Sequence, residues 1–235
     1  MKKNIAFKVF KIINISLFIV MTLGFRSLTN KRWGITPKDP WLWVKICEGS
    51  LAKTFSTAEF NDFEDFKIDG QTEVTIQDLV TSLVADINNL QSTFVKVGVY
   101  PTDTSVYTLG FDLDTAGSRT VDLCLASTGI PGAGGVAKLS YSGNAITSCT
   151  MNIKQRDSAK SWAGNFVHEI GHCFGLDHPQ ESSSAIMSYY HKKGDGGIYR
   201  YQADDLMGVT YLYPMPHPGW SLNEEDTYGL GCGFK

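Results

Sequence analysis

Between residues 75 and 90, Ile76, Leu79, Val80, Leu83, Val84, Ile87 and Leu90 recur at the spacing of one helix face. That pattern predicts an amphipathic helix. The period then drops to two over residues 93–100 and stops at Pro101, which predicts a strand. Strands are also predicted at 106–113 and 119–126, with turn chemistry between them over 112–118. A glycine-rich stretch, 129–135, leads into two more predicted strands, 136–141 and 145–153, around Ser142-Gly143-Asn144. A second helix begins near Asp157 or Ser158, either of which can cap it. It runs through Trp162, Phe166, Val167 and Ile170 to about Phe174, where Gly175 offers a stop. Residues 181–190 read as a loop and 203–213 as a last helix, with Asp204 and Asp205 in its favourable first turn. Residues 25–50, with Trp33, Pro37, Pro40, Trp41 and Trp43, read as irregular packed structure, and 214–235 as a wrapping tail.

The first residues follow a different logic. Lys2, Lys3, Lys8 and Lys11 precede an almost unbroken apolar run over 12–25. A basic head before a short apolar run describes a secretory signal peptide, here 1–24, with Thr22-Leu23-Gly24 as the best small-x-small cleavage site. The run is shorter than the roughly 20 residues that span a bilayer, and an uncleaved membrane anchor is the rival reading. The remaining residues, 25–235, suffice for one sizeable domain but are thin for two. Removing four lysines leaves 17 basic residues against 24 acidic ones, so the net charge moves from −3 to −7. An acidic exported domain is a poor match for nucleic acid, whose phosphates require a basic face. Export permits disulfides among Cys47, Cys124, Cys149, Cys173 and Cys232, although the odd count leaves one thiol over. The expected pairs are Cys124 with Cys149, both in strand-like segments, and Cys47 with Cys232, which leaves Cys173 free.

The chemistry converges on His168-Glu169-Ile170-Gly171-His172-Cys173-Phe174-Gly175-Leu176-Asp177-His178. Histidines four apart on a helix share a face, so both imidazoles can reach one ion, and Glu169 points to the same open side. A continuing helix would carry position 178 away. The chain must therefore turn sharply, and Gly175 can adopt the left-handed conformation that such a turn requires. His178 then supplies a third ligand and leaves a position for water, the pattern of a catalytic rather than a structural zinc site.

The pattern HExxHxxGxxH resembles the metzincin clan of zinc peptidases, and Ser184-Ala185-Ile186-Met187-Ser188-Tyr189 is similar to that clan's methionine turn. The resemblance implies an α+β fold: a twisted mixed sheet with helices above a cleft, and a small irregular lower half with a C-terminal helix. The short step from His178 to Met187 and the ending over 204–213 resemble matrixins, whereas Pro179 and Ile-Met-Ser-Tyr resemble serralysins. By that likeness Tyr189 is an added zinc or transition-state contact, with Tyr190 as the alternative. A matrixin-type structural zinc site is not expected, since only His191 and His217 remain, and no calcium-binding nonapeptide repeats follow. The cysteine-switch sequence is missing around Cys47, for which latency ligand and disulfide partner stay open. Asp112, Asp114 and Asp122 offer calcium ligands or, alternatively, solvated turns.

These features predict a secreted, monomeric zinc endopeptidase acting on protein or peptide substrates. It would use a zinc-activated water with Glu169 as general base. The edge near 136–141 would pair with an extended substrate. Two rivals share the motif: a zinc-stabilised binding module without turnover, and a membrane-tethered maturation protease.

Overall fold

A computed structural model describes residues 31–60, 72–100, 119–155, 158–179, 184–188 and 199–216. The predicted leader, the strand at 106–113, Asp112, Asp114, Tyr189, Tyr190, His191, His217 and Cys232 lie outside these residues. The elements in chain order are β1 (Arg32–Trp33), β2 (Trp41–Ile46), α1 (Glu48–Leu51), β3 (Thr54–Ser56), β4 (Glu73–Thr75), α2 (Ile76–Asn88), β5 (Lys96–Tyr100), β6 (Thr120–Leu125), β7 (Gly135–Ser142), β8 (Ala145–Ile153), α3 (Ala159–Phe174) and α4 (Ala203–Leu212).

The main sheet is mixed, ordered β1-β8-β6-β2-β5, with β7 added antiparallel along β8 while every other pairing is parallel. Because β7 occupies one side of β8 along its length, β1 and β6 share the other. Alternation places Leu42, Val44, Ile46, Val121, Leu123, Cys149, Met151 and Ile153 on a buried face. The apolar stripe of α2 and the Trp162, Phe166, Val167 and Ile170 side chains of α3 join them in one core. The stacked Trp41 and Trp43 alternate with these positions, with ring centroids 5.5 Å apart. Trp43 lies directly opposite Gly98, where a Cβ would stand 2.3 Å from the indole. Any side chain at this position would have to displace the indole.

The helix predicted over 75–90 forms at Ile76–Asn88, with Thr75 as N-cap accepting from the Asp78 amide. The strand predicted over 93–100 begins later, at Lys96. Thr93 instead bridges to Pro214, and its hydroxyl donates to the Tyr213 carbonyl. The expectation of irregular structure over 25–50 is corrected, since this stretch holds β1, β2 and α1. Proline and tryptophan had suggested irregularity, yet Trp41–Ile46 alternates strictly between half-buried and buried positions and fills the sheet between β5 and β6.

The cysteine pairing is also corrected. Cys47 bonds Cys124 and Cys149 bonds Cys173. Cys124 alternates with the buried Val121 and Leu123, whereas Cys149 faces the core, so the two point to opposite sides of the sheet. The core face is the one that α3 covers, and there Cys149 meets Cys173. Cys47 follows the paired Ile46 and Leu123 by one residue and falls opposite Cys124.

Candidate metal centre

Helix α3 opens on Ser158, whose hydroxyl accepts from the Ser161 amide at 3.2 Å, and is buried over most of its length. It stops at Gly175, which has φ 97°. The Gly175 amide donates to the His172 carbonyl at 2.8 Å and the Leu176 amide to that of Gly171 at 3.0 Å, the double closure of a left-handed C-terminal cap. A Cβ at position 175 would also stand 2.0 Å from the Lys31 carbonyl oxygen, so glycine is required by backbone angle and by space alike. The turn sends the chain back past the helix end and delivers His178 to the face that carries His168 and His172.

The three imidazoles converge. His178 Nε2 stands 3.0 Å from His168 Nε2 and 3.2 Å from His172 Nε2. His168 Nδ1 lies 2.8 Å from the Ile186 carbonyl oxygen and His172 Nδ1 lies 2.9 Å from that of Leu176. A carbonyl can only accept, so each Nδ1 carries the proton and each Nε2 presents a lone pair toward the common centre. Asp177 Oδ1, 3.6 Å from His178 Nδ1, favours the same tautomer in the third ring. Lone pairs crowded this closely repel one another unless a cation lies between them. Tetrahedral ligands about 2.05 Å from zinc stand roughly 3.3 Å apart, close to the separations here. The donor set therefore fits one zinc ion.

Glu169 follows the first histidine and is 6% exposed. It lies against the start of edge strand β7, where a Cβ on Gly135 would stand 2.5 Å from Glu169 Cγ and 2.9 Å from Oε1. The glycine lets the strand pass close over the carboxylate. Among the described residues, β7 pairs only with β8, and its other edge is open.

Beneath the centre sits Met187, 1% exposed. A Cβ at Gly171 would stand 2.3 Å from Met187 Sδ, so the bare backbone between the two helical histidines is what the methionine packs on. The turn is held by Asp205, on the first turn of α4. Its carboxylate accepts from the amides of Gln202 at 2.8 Å, Ile186 at 3.0 Å and Met187 at 3.2 Å. Burial pushes the Asp205 carboxyl above the ordinary range, against the opposing pull of those three amides. The Ile186 carbonyl accepts from His168 Nδ1, and the Met187 amide of that same peptide unit donates to Asp205, so Asp205 reaches the metal centre through one peptide unit.

A second support comes from the N-terminal side. Trp33 Nε1 donates to the Cys173 carbonyl at 2.7 Å, and the Tyr213 hydroxyl donates to that of Phe174 at 2.8 Å. The same hydroxyl accepts from the Trp33 amide at 3.1 Å. Two carbonyls that the helix end leaves without intrahelical partners are thus satisfied just before the chain turns toward His178.

Of the residues singled out in the sequence, the structure brings together His168, Glu169, His172, Gly175, His178 and Met187. Asp122 lies in β6 and is not part of the histidine cluster. Sequence reasoning missed Gly171, Gly135 and the roles of Trp33, Tyr213 and Asp205. Gly171 occupies an unspecified motif position, and Asp205 reads in sequence only as a favourable first-turn charge. A carboxylate three residues after a Gln N-cap was the available signal.

A search of curated proteins finds no match to this chain. The matrixin peptidase family profile matches residues 48–214, which holds every element from α1 to α4, the histidine triad and Met187. With its three-histidine centre, glycine turn and buried methionine, the chain belongs to the matrixin family of zinc metalloendopeptidases.

Proposed function

We propose that this protein is a secreted endopeptidase in which His168, His172 and His178 hold the catalytic zinc and Glu169 is the general base. The observation that carries this reading is the convergence of three Nε2 lone pairs beside a carboxylate that lies under an open strand edge. When bound, zinc supplies Lewis-acid polarisation of the scissile carbonyl and lowers the pKa of water toward neutrality. Glu169 takes the proton from the attacking water and passes it to the departing amine. Its enclosure between α3 and β7 limits the positions the carboxylate can take. An extended substrate adds to the free edge of β7, whose backbone groups give affinity without side-chain selection. Tyr189 is assigned as a phenol that contacts zinc or the oxyanion, on family likeness alone. Two disulfides support an oxidising destination, and among the described residues no helix is long and apolar enough to cross a membrane.

Glu169→Ala is expected to abolish peptide hydrolysis while zinc stays bound, and His172→Ala to lose zinc. Full cleavage by purified Glu169→Ala protein would defeat the mechanism. A mixed peptide library with and without a chelator separates an enzyme from a binding module. The N-terminal mass of exported protein tests secretion, since an intact Met1 indicates a tether. Tyr189→Phe with unchanged kcat removes Tyr189 from the site.

A further inference from the structure

One polar group on α3 has no use in the hydrolytic reading. Asn165 precedes Glu169 by one helical turn and so lies on the same face. It is 5% exposed, and its side-chain amide makes no hydrogen bond among the described residues. Burying a carboxamide without a partner costs free energy that an aliphatic side chain would not. Trp162, Phe166 and Val167, beside it on the helix, are apolar and fully buried. Helix packing gives no reason for an amide here.

Its position suggests one. A Cβ on Gly134 would stand 2.5 Å from Asn165 Nδ2 and 2.8 Å from Oδ1, while one on Gly135 would meet Glu169. Two successive glycines at the start of the open edge strand thus lie over the amide and then over the base. Asn165 also contributes none of the fully enclosed polar atoms that lack partners, so its amide keeps an opening out of the core. An unpaired donor and acceptor therefore sit one turn from the proposed reacting centre, beside the edge along which a substrate would lie.

We propose that Asn165 is a specificity-determining residue. Its carboxamide hydrogen-bonds the side chain of the substrate residue next to the scissile bond and favours amide or hydroxyl side chains over aliphatic ones of equal size. A carboxamide offers both donors and an acceptor, and another carboxamide is its natural complement. A site built to bond such a group discriminates against the apolar isostere, because the amide would be left unpaired. This inference rests on the hydrolytic reading, in which Glu169 marks the reacting centre.

The test uses the full zinc-loaded chain. A mixed peptide library fixes the cleavage position, and matched peptides then differ only in Gln against Met, or Asn against Leu, beside the scissile bond. Wild type is expected to favour the amide by roughly tenfold in kcat/KM at one flanking position. Asn165→Leu, nearly the same size, is expected to invert that ratio. Asn165→Asp, which stays polar if the leucine variant fails to fold, is expected to move the preference toward Lys or Arg at the same position. Equal rates on matched peptides in wild type, or an amide preference that survives in the variants, overturn the proposal. Failure of zinc-loaded wild type to cleave any peptide is a different result. It defeats the hydrolytic reading, and this inference falls with it.

Discussion

Gly171→Ala tests the packing beneath the metal centre, because two effects of known sign oppose each other there. In an ordinary helix interior this substitution stabilises by about 0.5–1 kcal/mol, through lower backbone entropy in the unfolded chain. Here the new methyl would stand 2.3 Å from Met187 Sδ and 3.1 Å from its Cε. Ordinary contact is about 3.5–4.0 Å, so the sulfur must retreat by roughly 1.2–1.7 Å. Met187 cannot retreat alone. Its amide is tied to Asp205, and the preceding carbonyl holds the His168 ring. Overpacking of a tight core costs about 1–3 kcal/mol, so the expected net effect is destabilisation. Disturbing groups that orient a metal ligand typically costs 10–100-fold in affinity, and zinc binding is expected to fall by roughly tenfold. Competition titration against a chromogenic chelator measures affinity, and urea unfolding measures stability. Adding Met187→Ala to the variant should recover much of the zinc affinity, because it removes the colliding atoms. A Gly171→Ala protein that is more stable than wild type and binds zinc as tightly would refute the reasoning.

The remaining predictions concern the supports around the site. Tyr213→Phe removes a hydroxyl that serves both the Trp33 amide and the Phe174 carbonyl; a loss of about 1–3 kcal/mol is expected in urea unfolding, and no loss would mean these groups find other partners. Replacing Cys149 and Cys173 together by Ala opens a bridge of separation 24, for which chain entropy gives about 3.4 kcal/mol; unchanged thermal unfolding of the double variant would count against the pairing. For Asp205, burial raises the native pKa, so the native state holds its proton to higher pH than the unfolded chain. Stability from this group is then greatest below the unfolded pKa and declines as pH rises through the native one. Asp205→Asn should destabilise by turning an N–H toward a backbone amide, and its penalty should shrink as pH rises through that window. Urea unfolding of both proteins across the acid range checks the sign, and a penalty that grows with pH would contradict it.

How much was legible depended on whether the determinant was local. The stripe Ile76 to Ile87 announced α2 because apolar spacing alone decides which face a helix buries. Gly175 was legible for a similar reason, since a turn after His172 needs a left-handed residue at that point. Residues 41–46 were misread, because tryptophan and flanking prolines hid an alternation that only neighbouring β5 and β6 make meaningful. The cysteines were misassigned because pairing depends on which face of the sheet each one occupies, and strand-like character leaves that open.

The sequence by itself therefore determined the make-up of the candidate metal site: three imidazoles, a neighbouring carboxylate and a glycine turn at fixed offsets along 11 residues, 168–178. Helical periodicity and one left-handed residue are enough to bring those groups together. Tertiary structure alone decided what stands around them. Trp33, Gly135, Met187, Asp205 and Tyr213 are up to 180 residues apart and meet only when sheet and helices pack. Such contacts arise from long-range packing, and no local period encodes them.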